Sequence, residues 1–210
     1  MVLDKEFKEA VLNLSATEKD KLLLRLLKKD TALIDKLHFE LVSDLSVDEV
    51  RANMALKIKQ KVSSTTRYAF NPRQVLTQVR SISAEIAYHV KTTKDKFGDA
   101  SLNLLLLNEF MQKHKANLKR AHHSEKLRKL LIYVISKAYR ALVTIDALHE
   151  DYFLDLEKDL KLLGQAFLEN QRLEDFCVSC GFDVDWLINA DLPEDIKEIY
   201  KRVRTEGLLK

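Results

Sequence analysis

The chain has 210 residues, 46% apolar and 32% charged, which is enough of both to fold around a core and excludes a disordered chain. Four glycines and two prolines are too few turn formers for a hairpin-rich fold, and no apolar run reaches the ~18 residues of a membrane span. With 35 basic against 32 acidic residues the formal charge is +3, too even for a dedicated duplex binder.

Val2 to Leu14 reads as a short amphipathic helix with Leu3, Phe7, Val11 and Leu14 on one face. Ser15 and Glu18 then form a capping box, in which each side chain satisfies an unpaired helix-end amide of the other. The helix from Ala16 to Lys29 turns Leu22, Leu23, Leu26 and Leu27 inward, and Asp30 caps a third helix to about Val42. Ser46 and Glu49 repeat the box and open a longer helix to about Val62, fraying or bending across Ser63 to Thr66. Asn71 before Pro72 restarts the pattern, with Val75, Val79, Ile82, Ile86, Val90 and Phe97 on a helix ending at Gly98. Asp99 caps the next, Ala100 to about Ala121, whose Leu102 to Leu107 stretch is nearly all apolar.

Ser124 to Tyr152 reads as one long helix. Leu127, Leu131, Val134, Ala138, Ala141, Ile145, Leu148 and Tyr152 make a stripe that Ile132, Ile135, Tyr139, Leu142 and Val143 widen to an arc of roughly 220°, far more than an ordinary surface helix shows. Lys126, Lys129, Tyr133, Lys137 and Arg140 form the narrow seam that is left. Shorter helices follow, with apolar positions before Gly164, Gly181, Pro193 and Gly207; Gly181 and Gly207 stand where a helix end calls for positive φ.

The fold class is all-α: a bundle of about four long antiparallel helices flanked by short helices at both ends, with an α-superhelical array as second choice. Residues 1–210 are taken as one helical domain, with short-helix segments at 1–45 and 153–210 around a long-helix bundle at 46–152. The early charges Asp4, Lys5, Glu6, Lys8 and Glu9 exclude a secretory signal, and two cysteines without export suit a reducing cytoplasm.

Chemical motifs are sparse. Cys177 and Cys180 form a CxxC, but at a helix C-terminus, where the dipole disfavours a thiolate, and no second pair completes a zinc site; two core thiols are the reading. The turn at Gly181 outlines a helix-turn-helix, yet Asp183 and Asp185 would face the polyanion. Adjacent His122 and His123 point about 100° apart and cannot share an ion. His149 and Asp146 lie toward the apolar arc and are the candidate buried polar contact. Asp151, Asp155 and Asp159 recur at steps of four on the face opposite the leucines and read as solvated. No metal site and no cofactor is expected.

The densest signal is basic: Lys113, Lys115, Lys119, Arg120, Lys126, Arg128 and Lys129, with His114, His122 and His123 among them and Glu125 as the only acid. Together with the seam residues Tyr133 and Arg140 they are the candidate surface for an anionic partner.

Four runs, Lys19 to Asp30, Lys94 to Gly98, Leu148 to Phe153 and Leu192 to Ile196, resemble a family of all-helical bacterial proteins of about this length whose activity is not established. Some such proteins carry the label deoxyuridine triphosphate nucleotidohydrolase. The Gly-rich motifs of the trimeric β-type enzyme are missing here, as is the ExxD of the helical type, and the one ExxE is Glu6 to Glu9.

Two functions stand side by side. The favoured one is a cytoplasmic interaction protein that binds protein or nucleic acid through the basic patch, away from membranes, with homo-oligomers possible. The alternative is a magnesium-dependent enzyme acting on a nucleotide or other phosphorylated small molecule.

Overall fold

Side-chain caps set most helix starts. Asp4, Ser15, Asp30, Ser46, Asn71, Asp95, Ser124 and Asn170 each accept a backbone N–H two or three residues ahead, supplying a partner that the first helical turn lacks. The computed structural model describes residues 4–209, all helical or connecting, with no strand among them. None of these helices is long and apolar enough to cross a membrane.

The chain divides into two compact units, Met1–Asp44 and Leu45–Lys210. The first holds α1 (Lys5–Leu12), α2 (Ala16–Leu27) and α3 (Thr31–Leu41), with α2 packed on α3. The Ser15 box forms as expected, Ser15 N–H to Glu18 Oε2 at 2.9 Å and Glu18 N–H to Ser15 Oγ at 3.3 Å. Nothing in these three helices is buried. The expected start at Val2 and Leu3 lies outside the described residues.

The second unit holds α4 (Val47–Ser64), α5 (Pro72–Thr93), α6 (Lys96–Arg120), α7 (Glu125–Asp146), α8 (Asp151–Leu168), α9 (Gln171–Ser179), α10 (Asp185–Ile188) and α11 (Ile196–Thr205). Helix α6 packs on α4, α5, α7 and α8; α7 also meets α5, α9 and α11, and α8 meets α9 and α10. Phe110, Tyr139, Phe167, Ile58, Ile86 and the leucines of α6 and α7 make the core.

Three boundaries differ from expectation. Helix α5 ends at Thr93, not Gly98, because Lys94 turns left-handed (φ 60°, ψ 24°) and Asp95, rather than Asp99, caps α6. Asp95 Oδ1 takes the Gly98 N–H at 2.7 Å. A Cβ on Gly98 would sit 2.0 Å from Asp95 Oδ2, so Gly98 is a close-approach glycine inside the first turn.

The helix expected from Ser124 to Tyr152 is two. It stops at Asp146, the Thr144 hydroxyl donating back to the Arg140 carbonyl (2.9 Å) and the last bonds tightening to Ala147 N–H to Thr144 O and Leu148 N–H to Ile145 O. The chain then re-enters as α8, 18 residues long and packed on α6, with Leu156, Leu160 and Leu163 buried. The apolar stripe runs through the break, so periodicity reads it as continuous. Gly164 is likewise no terminator; it lies within α8, where a Cβ would come within 2.9 Å of Leu187 Cβ on α10.

Gly181 (φ 66°) and Gly207 (φ 78°) do end helices as read, with Phe182 N–H to Cys177 O (2.8 Å) and Leu208 N–H to Val203 O (3.1 Å) closing a Schellman turn at each.

Candidate functional site

The seam left by the α7 stripe forms one wall of a cavity of about 570 Å³. Because Tyr133, Lys137, Arg140 and Thr144 fall three and four residues apart, they line up along that wall. Helix α5 brings Ser83, Ala87 and Lys91, α6 brings Asp99 and Asn103, and α11 brings Tyr200.

Each wall is fixed by its own contacts. The Tyr133 hydroxyl donates to Ser83 Oγ at 2.8 Å, and the Arg80 guanidinium stands 5.4 Å from the centroid of its ring, so α5 and α7 are held together here. The Asn103 amide donates to the Asp99 carbonyl (2.7 Å) and to Asp99 Oδ1 (2.8 Å). Both partners are acceptors, which assigns the amide orientation and leaves Asn103 Oδ1 buried without a protein donor. The corner that places Asp99 is itself braced. Asp95 receives Arg51 Nε at 2.6 Å and Nη2 at 2.8 Å, with His89 Nε2 at 3.4 Å. Burial pushes the Asp95 carboxyl up, but the Arg51 and Gly98 bonds outweigh it and hold it below the usual range.

Lys137 gives the cavity its electrostatic character. Burial lowers its ammonium pKa to about 8, Arg140 nearby adds repulsion, and Asp99 partly opposes both. Among the described residues Lys137, Arg140 and Lys91 form no ion pair. The cavity therefore carries three cations against one lining carboxylate, Asp99.

The residues singled out from sequence fall into separate places. Lys113, Lys115, Lys119 and Arg120 lie exposed on the C-terminal half of α6, and Lys126 and Lys129 on the first two turns of α7. Several of these charges are already answered: Lys115 pairs with Glu169 at 2.7 Å, and Glu125 takes Lys129 at 3.5 Å and Arg128 at 3.8 Å. His114 is buried against Thr65 (2.7 Å), and burial lowers its pKa to about 4, so it adds no charge at neutral pH. Tyr133 and Arg140 belong to the cavity, whose lining includes neither Lys126 nor Lys129.

The buried contact expected between Asp146 and His149 is not formed. Both side chains are exposed, since α7 ends at Asp146, and His149 Nδ1 lies 3.1 Å from the Asp151 carboxylate instead. Cys177 and Cys180 are free, buried thiols; burial raises the pKa of each, and Cys180 Sγ lies 3.4 Å from the Leu208 carbonyl. No group of three or more His, Cys, Asp or Glu among the described residues could hold a metal ion.

Lys91, Asp99, Asn103 and Tyr200 were not reached from sequence. One signal did exist: Asn103 interrupts the apolar Leu102 to Leu107 run and Asn108 ends it, where a polar side chain must find a buried partner. Asn108 finds one in the Asp159 carbonyl at 3.0 Å, tying α6 to α8. No protein-family model, curated protein or solved structure matches the chain. The Lys94 to Gly98 run, one of those behind the family resemblance, does structural work here by making the α5–α6 corner.

Proposed function

We propose that the protein binds an anionic partner in the cytoplasm, and that the contact is the cavity between α5, α6 and α7. In this reading the long helices of the second unit run antiparallel as a bundle and present the seam of α7 along a groove. The observation that carries it is Lys137, a partly buried cation beside Arg140 with no carboxylate paired to it. Burying an uncompensated charge costs free energy that an incoming anion recovers, which makes the arrangement complementary to a negative ligand. The volume falls within the ~300–1,000 Å³ of small-molecule sites, so a phosphate- or carboxylate-bearing small molecule fits better than a nucleic acid or an acidic protein face.

The second reading, magnesium-dependent turnover of a nucleotide or other phosphorylated small molecule, uses the same cavity. An amine titrating near neutrality suits proton transfer, and Asp99 supplies a carboxylate.

Calorimetric titration with inorganic phosphate, pyrophosphate, citrate and deoxyuridine triphosphate, with and without magnesium, separates these readings. Binding should weaken more than about tenfold in Lys137→Met and in Arg140→Met. It should also weaken as pH rises through about 8, where Lys137 loses its proton. Product release in the same samples would favour the enzyme. If no anion binds, or if only reversal of Lys113, Lys119, Lys126 and Lys129 to Glu abolishes binding, the cavity reading is wrong.

A further inference from the structure

Lys137 is a primary amine on the wall of a cavity large enough for a small molecule. Among the described residues it forms no ion pair, and Asp99, the one lining carboxylate, acts on its charge without pairing with it. Arg140 stands beside it on the same wall, and Lys91 joins them from α5. Two further cations thus surround the amine. Such a setting attracts an anion, and it also favours the neutral amine, whose nitrogen lone pair is a nucleophile. An ammonium both desolvated and repelled by a guanidinium gives up its proton early. At pH 7 roughly one such amine in ten is neutral, against fewer than about one in a thousand for an ordinary lysine.

Spacing selects the ligand. Lys137 and Arg140 are three residues apart on α7, so their side chains are neighbours on one face of the helix. A ligand that gives its anionic group to the guanidinium and an electrophilic carbon to the amine must carry the two close together. In a 2-oxo acid the carbonyl carbon is bonded directly to the carboxylate carbon. Lys91, facing the same space from α5, adds a second cation for the carboxylate.

We infer that Lys137 forms an imine with a 2-oxo acid whose carboxylate is held by Arg140 and Lys91. This rests on the anion-binding reading above and adds a covalent step to it. The neutral Lys137 nitrogen adds to the 2-oxo carbon, a C–N bond forming as the carbonyl π pair moves to oxygen. One N–H proton passes to that oxygen and gives a carbinolamine. The hydroxyl then leaves with the second N–H proton as water, and the C=N bond forms. No oxidant or reductant is consumed.

The test incubates the full chain briefly with pyruvate, quenches with sodium borohydride, which reduces an imine to a stable secondary amine, and locates the adduct by peptide mass mapping. At neutral pH the yield at Lys137 should exceed that at the exposed Lys126 and Lys129 by more than about tenfold and should saturate in pyruvate. Citrate should lower it by competition, and Arg140→Met should abolish the saturation. Lys137→Arg keeps the charge and removes the nucleophile, so it should still bind citrate in calorimetry while losing the adduct. Modification that follows surface exposure, or that Lys137→Arg leaves unchanged, would overturn the imine, and citrate binding would still uphold the anion reading. An adduct at Lys137 that neither citrate nor Arg140→Met affects would overturn the assignment to a 2-oxo acid. Absence of both adduct and citrate binding would overturn the two readings together.

Discussion

At the scale of single residues, Lys137 and Gly98 show opposite departures from ordinary rules. The Lys137 pKa falls from 10.5 in the unfolded chain to about 8 in the fold. Between those values the unfolded state binds more protons, so stability rises with pH across that window, and below about 8 the fold bears the full cost of the buried cation. Lys137→Met should therefore stabilise the protein at neutral pH by roughly 2 kcal/mol, raising the melting temperature by several degrees. The gap to wild type should shrink by about pH 9.5, which melts at the two pH values will show. Gly98→Ala tests the other site. Helix propensity alone favours alanine by ~1 kcal/mol, whereas the Cβ would displace the Asp95 carboxylate from both its cap and Arg51. We expect a loss of about 2–4 kcal/mol in urea unfolding; a gain would mean that the Asp95 corner yields freely.

Among elements, the decisive contacts are those that join helices distant in sequence. Tyr139 on α7 donates its hydroxyl to the Gly181 and Cys180 carbonyls, and burial raises its pKa well above the ordinary phenol value. Its ring packs edge-on against Phe182 with centroids 4.7 Å apart and stacks on Tyr200 at 5.4 Å, so one side chain binds α7 to the Schellman turn after α9 and to α11. Tyr139→Phe keeps the rings and takes the hydroxyl donor from the Cys180 and Gly181 carbonyls, and should cost about 1–2 kcal/mol; Tyr139→Ala should cost about 3–5 kcal/mol. Trp186, the only tryptophan, lies 6.1 Å from the Tyr139 ring, so its fluorescence reports the loss directly. An unchanged midpoint in Tyr139→Phe would mean that water replaces the hydroxyl without penalty.

For the whole molecule, the contrast between the two units predicts uneven stability. The second unit buries a continuous core through α4 to α11, whereas α1 to α3 bury nothing. Hydrogen exchange should grade accordingly, with α6 and α7 amides protected at the global limit and α1 to α3 exchanging orders of magnitude faster at high dilution. Brief proteolysis should cut first between Val42 and Ser46, releasing a folded 45–210 fragment. Equal protection in both units would contradict the division.

Helix starts were legible because capping chemistry is local. Ser15 with Glu18, Ser46 with Glu49, and Asn71 before Pro72 act within four residues, and the fold uses all three as read. The all-α class followed from the scarcity of Gly and Pro and from the 3.6-residue period of the apolar positions. What the sequence by itself determined was thus most of the helix starts and caps, the two Schellman glycines and the polar seam of α7. Where a stripe passes through a break, as between Asp146 and Asp151, only packing against α6 decides that the chain turns. Tertiary structure alone also moved Gly98 and Gly164 from helix ends to close contacts, exposed Asp146 and His149, and split the basic residues into an exposed, partly paired group and a cavity group. The physical reason is one of range: caps and periodicity act within a turn or two of helix, whereas the cavity gathers side chains from Ser83 to Tyr200 that no local interaction relates.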